Sequence, residues 1–296
     1  MQQEFDVKKW RLEHPMDYFK ALELMCAASN KDEIFKQIYK VTRLHLPETL
    51  YKYYSLSDSS KLNEAKFKTL KSQHIFMSDI KDFNDPFDSR AFFYNQSDLL
   101  QFERLRPHGG KLIDDFAAYL KSSAFTDAGI NCMPMWAHYA NGHRGFCVSY
   151  DIKPEENSDL CSQIFPVQYA NTRIDVTTLM VEQARKIIEK TENSLLLDIK
   201  PIIISDLSLI YMSLLLSNIK HSTWSYEKEY RCTTASNAKG MPYLPAKPSG
   251  IYIGLKCSGK HVSRLIEISR VIKIPVYKME FNECETYFDL SASRLE

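Results

Sequence analysis

Strand-like and helix-like stretches alternate along this chain without settling into a repeating β-α-β unit, and that irregularity constrains its fold most. A two-residue period sends alternate side chains to opposite faces of a sheet, whereas a helical face recurs every third or fourth residue. LYKYYSL (50–56), HIFMSD (74–79), GFCVSYDI (145–152), QIFPVQYA (163–170) and WSYEKEYRCTTA (224–235) read as strands. GIYIGLK (250–256) and VIKIPVYKM (271–279) supply the last ones. Residues 59–72, 97–106, 111–123, 134–141, 174–192, 195–220 and 259–269 read as helices, with Pro201 interrupting the sixth. Such an order implies an α+β domain with a mixed, largely antiparallel sheet and packed helices. Nine glycines in 296 residues, none in a phosphate-cradling loop, exclude the Rossmann and P-loop nucleotide folds.

The first 47 residues read as two helices. Asn30 caps KDEIF with acid in the first turn, Ile34, Ile38 and Val41 repeat at helical spacing, and Pro47 closes the segment. The expected organisation is therefore a helical N-terminal extension over 1–47 and a single α+β domain over 48–296.

Charge and cysteine usage exclude several classes. Lys plus Arg (38) and Asp plus Glu (37) leave a net charge of +1, so no global field argues for general nucleic-acid binding. The apolar run 202–219 contains Asp206, Asn218 and four serines, which suits a buried helix better than a membrane span. MQQEFDVKKWRLEHP has no apolar core of a secretory signal. Seven scattered cysteines without C-x-x-C spacing argue against disulfides and structural zinc. A cytoplasmic protein that uses neither membrane nor metal is the expectation.

Three segments combine polar and aromatic residues densely. NDPFD (84–88) is strong turn chemistry; it either only structures a turn, with Phe83 and Phe87 as core anchors, or presents Asn84 and Asp85 to a cleft. MWAHYANGHRGFCVSYD (135–151) places Trp136, His138, Tyr139, His143 and Arg144 within nine residues. Aromatic faces there can hold a flat ring, and Arg144 beside two glycine amides can receive a phosphate. The five-residue spacing of His138 and His143 suits no familiar metal pattern. In WSYEKEYR (224–231), read as a strand, Ser225, Glu227, Glu229 and Arg231 share one face. That face is either a solvated Arg–Glu pair or the wall of a site. In the second case one glutamate stabilises an oxocarbenium-like centre and the other orients a nucleophile. The residues do not choose between Glu227 and Glu229.

FNDPFD, MWAHYA with GHRGFCVSYD, and WSYEKEYR, in this order, resemble a bacterial domain-of-unknown-function family, number 2971. LYKYYSL, FPVQYAN and GIYIGLK are similar to it too, so the resemblance covers about 48–280. More loosely, the aromatic first strand, the helix after it and the late Glu-x-Glu look like the ADP-ribosyltransferase superfamily. That likeness implies NAD as substrate, with Glu229 or Glu227 acting at the nicotinamide ribose. It implies Tyr53 or Lys52 as the first-strand contact, Trp136 or Tyr139 beside the nicotinamide, and Arg144 or Arg231 on phosphate. The first strand has neither the His nor the Arg usual there, and no Ser-Thr-Ser motif is present.

Three function classes follow. The first is an NAD-consuming ADP-ribosyltransferase-like or glycohydrolase-like enzyme, a toxin or anti-phage defence effector acting on an unidentified acceptor. The second is a metal-dependent nuclease built on Asp85, Asp88, Glu227 and Glu229. The third is a non-catalytic sensor of a small nucleotide ligand.

Overall fold

Asx side chains start the first helices. Asp6, Asp17 and Asn30 accept backbone N–H bonds at the beginnings of α1 (Val7–Glu13), α2 (Tyr18–Ala27) and α3 (Lys31–Leu44). Three helices stand where two were expected, because Pro15 divides the first stretch. The computed structural model describes residues 6–57, 59–88, 90–111, 120–192, 207–235, 242–281, 283 and 286–296.

Next come β1 (Thr49–Tyr54), α4 (Ser60–Lys71), β2 (His74–Phe76), β3 (Ser78–Asp79), β4 (Phe92–Phe93) and α5 (Gln96–Leu99). The middle of the chain forms β5 (Leu120–Thr126), α6 (Met133–Tyr139), β6 (Phe146–Asp151), α7 (Pro154–Gln163), β7 (Ile164–Pro166) and β8 (Gln168–Ala170). β9 (Ile174–Asp175), α8 (Thr177–Glu192), α9 (Leu207–Leu216), β10 (Ile219–His221) and β11 (Glu229–Ala235) follow. The chain closes with β12 (Tyr243–Pro245), β13 (Gly250–Ile253), α10 (Gly259–Ile272), β14 (Val276–Glu280) and β15 (Ser291–Arg294).

The main sheet runs β15-β14-β13-β6-β1-β5-β11-β7, with β3 also paired to β5. Its pairs are antiparallel except β13–β14, where α10 provides the crossover. The fold is thus α+β with a mixed, mostly antiparallel sheet. Small two-stranded pairs, β2–β12, β4–β9 and β8–β10, flank it.

One irregularity of the sheet positions the site. β1 is laddered to β6 along its length, from Thr49↔Asp151 to Tyr54↔Phe146. It meets β5 at a single pair, Tyr51↔Thr126, while β5 is laddered on its other edge to β11 from Glu229↔Thr126 to Ala235↔Leu120. The sheet therefore opens between β1 and β5.

Alternation along β1 sorts its side chains. Leu50 joins Phe125, Val148 and Ile251 in a core closed by Phe67 of α4 and Leu265 of α10, while Tyr51 and Tyr53 pack with Trp136 on the opposite face. A third core joins the N-terminal helices to the later ones: Leu22 and Met25 of α2 and Phe35 of α3 pack with Met180 of α8 and Leu215 of α9. Phe35 stacks on Tyr211 at 3.6 Å, and the Tyr18 hydroxyl donates to Pro166 O at 2.7 Å. No described helix, α9 included, is long and apolar enough to cross a membrane.

Several expectations need correction. Residues 120–126 belong to a strand rather than to a helix over 111–123, because their serines and Thr126 pair with β11; 112–119 lie outside the described residues. Within 97–106 a short α5 is followed by a 3-10 turn, Glu103–His108. QIFPVQYA splits at Val167, whose N–H bonds Glu229 O, so that β7 joins the main sheet and β8 pairs with β10. VIKIPVYKM is divided, its first two residues ending α10. α7 and β15 were not anticipated. The part of 195–220 up to residue 206 lies outside the described residues. Most consequentially, WSYEKEYR is not one strand: Ser222–Glu227 form a 3-10 turn capped by the His221 side chain. Lys228 then takes a left-handed φ of 43°, and the strand begins only at Glu229.

Candidate functional site

The opening between β1 and β5 is a cavity of about 400 Å³. That lies within the span of small-molecule sites. Its walls include Lys52 and Tyr53 of β1, Phe83 and Asn84, Ser123 and Phe125 of β5, His138 and Tyr139 of α6, and Lys220, Glu227 and Glu229. Segments separated by more than a hundred residues thus meet because β1, β5 and β11 are consecutive in the sheet.

The acidic wall rests on a buried ion network. Lys220, on β10, donates from Nζ to Glu227 Oε2 at 2.7 Å and to Glu229 Oε2 at 3.0 Å. Arg231 donates from Nε to Glu229 Oε1 at 2.6 Å, from Nη2 to Asp88 Oδ1 at 2.5 Å and from Nη1 to Ser217 O at 2.6 Å. The Tyr139 hydroxyl donates to Glu227 Oε1, and Asn84 Nδ2 donates to that hydroxyl at 3.4 Å. The Glu229 amide donates to the Tyr169 hydroxyl at 2.8 Å. Because Lys228 bulges out, Glu227 and Glu229 reach Lys220 from a turn and a strand rather than from one strand face.

Charge counting explains how this network titrates. Two cations, Lys220 and Arg231, face three carboxylates, those of Asp88, Glu227 and Glu229. Burial favours protonating Glu229, but Arg231 and Lys220 outweigh it and hold the carboxyl at about 2. Burial and the negative Glu229 raise Glu227 above the ordinary carboxylate range, against Lys220. Burial likewise raises Asp88 and Tyr139. One glutamate is locked as an anion; its neighbour is poised to exchange a proton. Pairs driven apart in this way are how a site acquires an acid–base group and a fixed charge.

The other expected residues divide. Lys52, Tyr53, Asn84, His138 and Tyr139 line the cavity. Tyr53 also donates to Gly129 O at 2.6 Å, and His138 Nδ1 lies 2.9 Å from the Tyr226 hydroxyl. Trp136 does not line it: the ring is fully buried beside Tyr53, and its Nε1 donates to Ile130 O at 2.7 Å. His143 stacks on the Trp136 ring, away from the cavity. Arg144 is exposed, its Nη1 3.5 Å from Asn141 O. Arg231 is fully buried behind Glu229, stacked on Phe83. Neither arginine is therefore placed to hold a phosphate in this cavity. Asp85 is buried outside the lining and accepts the Phe87 N–H at 2.9 Å, while Phe87 is exposed rather than a core anchor.

This donor set does not suit a divalent cation. Asp88, Glu227 and Glu229 already bind Arg231 or Lys220, and an incoming metal would have to displace an ammonium or guanidinium. Among the described residues no group of three His, Cys, Asp or Glu could hold a metal ion.

Sequence reasoning missed Lys220, Tyr169 and Ser123. A lysine directly after an apolar run and seven residues before Glu227 was the available signal for Lys220; nothing in the sequence pointed to the other two.

Residues 135–232 match the sequence model of the family described as Protein of unknown function (DUF2971). The match is narrower than 48–280 and spans α6 to the start of β11, including Tyr139, Lys220, Glu227 and Glu229. No curated protein and no solved structure matches the chain.

Proposed function

We propose that this chain, which carries the DUF2971 segment at its acidic wall, cleaves the N-glycosidic bond of NAD, as a glycohydrolase or as an ADP-ribosyltransferase-like enzyme. The observation that carries the reading is the split glutamate pair in one aromatic-walled cavity: Glu229 held ionised, Glu227 raised, with Tyr53, Phe83 and Tyr139 around them. A cavity of about 400 Å³ has room for the nicotinamide riboside end of the dinucleotide rather than all of it. In the reaction the bond from ribosyl C1′ to the pyridine nitrogen breaks, and its electron pair leaves with nicotinamide. Glu229, fixed as an anion by Arg231 and Lys220, faces the positive charge that develops on the ribosyl centre. Glu227 takes the proton of the attacking water or acceptor hydroxyl, and Tyr139 and Lys220 orient its carboxyl. The biological setting this chemistry serves is NAD depletion by a toxin or an anti-phage effector.

Release of free nicotinamide from NAD by the purified protein tests the reading. Wild type releases it, and Glu229→Gln lowers kcat roughly 10²-fold or more. No release by wild type, even in lysate that contains acceptors, sinks the proposal. A second reading has one observation in its favour: both Glu229 oxygens are already engaged by Arg231 and Lys220, as in a purely architectural pair. In that case the cavity senses a nucleotide-like ligand, and NAD binds but is recovered intact.

A further inference from the structure

We infer that Lys52 is the anion-binding group of the cavity and that it selects ligands bearing a phosphoryl group. The other cations nearby are committed or misplaced. Lys220 lies between two carboxylates, Arg231 is buried against Glu229 and Asp88, and Arg144 lies outside the lining. Lys52 Nζ has a different environment. It donates to Ala124 O at 3.0 Å, and among the described residues it has no carboxylate within ion-pair distance. The rings of Tyr54 and Phe125 flank it, their centroids 5.7 and 5.3 Å away, and they attract an ammonium without neutralising it. An ammonium has three donors, and a single protein acceptor leaves two for a ligand.

A second, independent feature lines the same cavity. Ser123, only 2% exposed, belongs to that lining, and its Oγ has no hydrogen-bond partner among the described residues. Ser123 adjoins Ala124, whose carbonyl anchors the lysine, on the β5 stretch that lies across the opening from β1. A hydroxyl and an ammonium in one cavity, the first without a hydrogen-bond partner and the second without a carboxylate among the described residues, are what phosphoryl oxygens would satisfy.

The proton balance supplies a signature. Burial lowers Lys52 to about 8. The titratable groups acting on it are the Cys232 thiol and the Glu229 carboxylate, both on β11. Burial holds Cys232 near 12 and so protonated, which leaves Glu229, already bound to Arg231 and Lys220, as the negative charge of these two. An anion placed beside Lys52 favours its charged form, so binding above pH 8 takes up a proton.

Isothermal titration of the full-length protein with inorganic pyrophosphate and, separately, with ADP-ribose tests this. Each titration is run at pH 7 and pH 9 in two buffers of different ionisation enthalpy. Wild type should bind at least one probe, with net proton uptake at pH 9 and little at pH 7. Lys52→Gln should weaken binding roughly tenfold or more, and Lys52→Arg should restore affinity without the uptake. Binding of pyrophosphate alone marks a free polyphosphate site, whereas binding confined to ADP-ribose marks a nucleotide's phosphates; either supports the assignment. Failure of both probes to bind, or equal affinity in wild type and Lys52→Gln, overturns it. The outcome is independent of turnover: a protein that leaves NAD intact can still pass, and one that releases nicotinamide can still fail.

Discussion

Two lysines line the same cavity, Lys52 from β1 and Lys220 from β10, and they titrate in opposite directions. Burial disfavours the charge on both. For Lys220 the carboxylates of Glu229 and Glu227 outweigh burial and raise it; for Lys52, bonded to a backbone carbonyl and flanked by rings, burial wins and brings it to about 8. Partners, not depth, decide what a buried charge does. The acidic wall is accordingly a closed network that maintains itself, while the β1 wall carries an ammonium that no described carboxylate pairs.

Arg231→Met should disturb the acidic wall most. Removing the guanidinium leaves Asp88 and Glu229 buried without it, and the expected loss is about 3–5 kcal/mol in urea unfolding at pH 7. A loss below about 1 kcal/mol would mean that the network contributes little to stability. Lys220→Met should cost less, about 2–3 kcal/mol at pH 7, because Arg231 still compensates Glu229 and Glu227 can take up a proton. That cost should shrink as pH falls, since protonation of Glu227 then removes the uncompensated charge. A pH-independent cost argues against a raised Glu227.

Lys52→Met carries the opposite sign. The folded pKa of Lys52 lies below its unfolded value of 10.5, so the unfolded chain binds more protons between about 8 and 10.5, and wild-type stability rises with pH through that window. The penalty is fully present below pH 8. Solvent screening of this half-buried side chain and the lost bond to Ala124 O offset most of that penalty, so removing the ammonium should stabilise the protein at pH 7 by roughly 1 kcal/mol, with the gain fading by pH 11. Destabilisation at pH 7 would show that Lys52 is compensated after all. The smallest effect belongs to the rim. His138 is exposed and touches only the Tyr226 hydroxyl among its polar neighbours described, so His138→Ala should change stability by less than about 0.5 kcal/mol while altering ligand affinity in the titration above.

How much of this was legible beforehand differs between elements and site. Local composition located β1, α4, α6, β6, α10 and β13: runs of aromatic and β-branched residues mark the strands, Ser59 precedes α4 and Pro134 sits in the first turn of α6. It failed at residues 120–126, where a serine-rich stretch becomes a strand through pairing with β11, a partner more than a hundred residues away. It failed again at WSYEKEYR, where a helical turn and a left-handed lysine interrupt an apparent strand. Glu227 and Glu229, which the sequence left as either a solvated pair or a cavity wall, lie along the cavity, since two glutamates and an arginine so close together require either solvent or one another. Trp136 misled for the converse reason: an aromatic ring reads alike whether it covers a ligand or fills a core.

Neighbouring residues were enough to settle the mixed α+β class, the start of α3 at Asn30 and the chemical character of the three polar-aromatic segments. Short-range sterics, capping and periodicity are written in neighbouring residues. Tertiary contacts alone set Lys220 between the glutamates, Arg231 behind them and Lys52 where no described carboxylate reaches it. Charge interactions fall off over a few ångströms in space, and strand order, not chain order, sets which charges come that close.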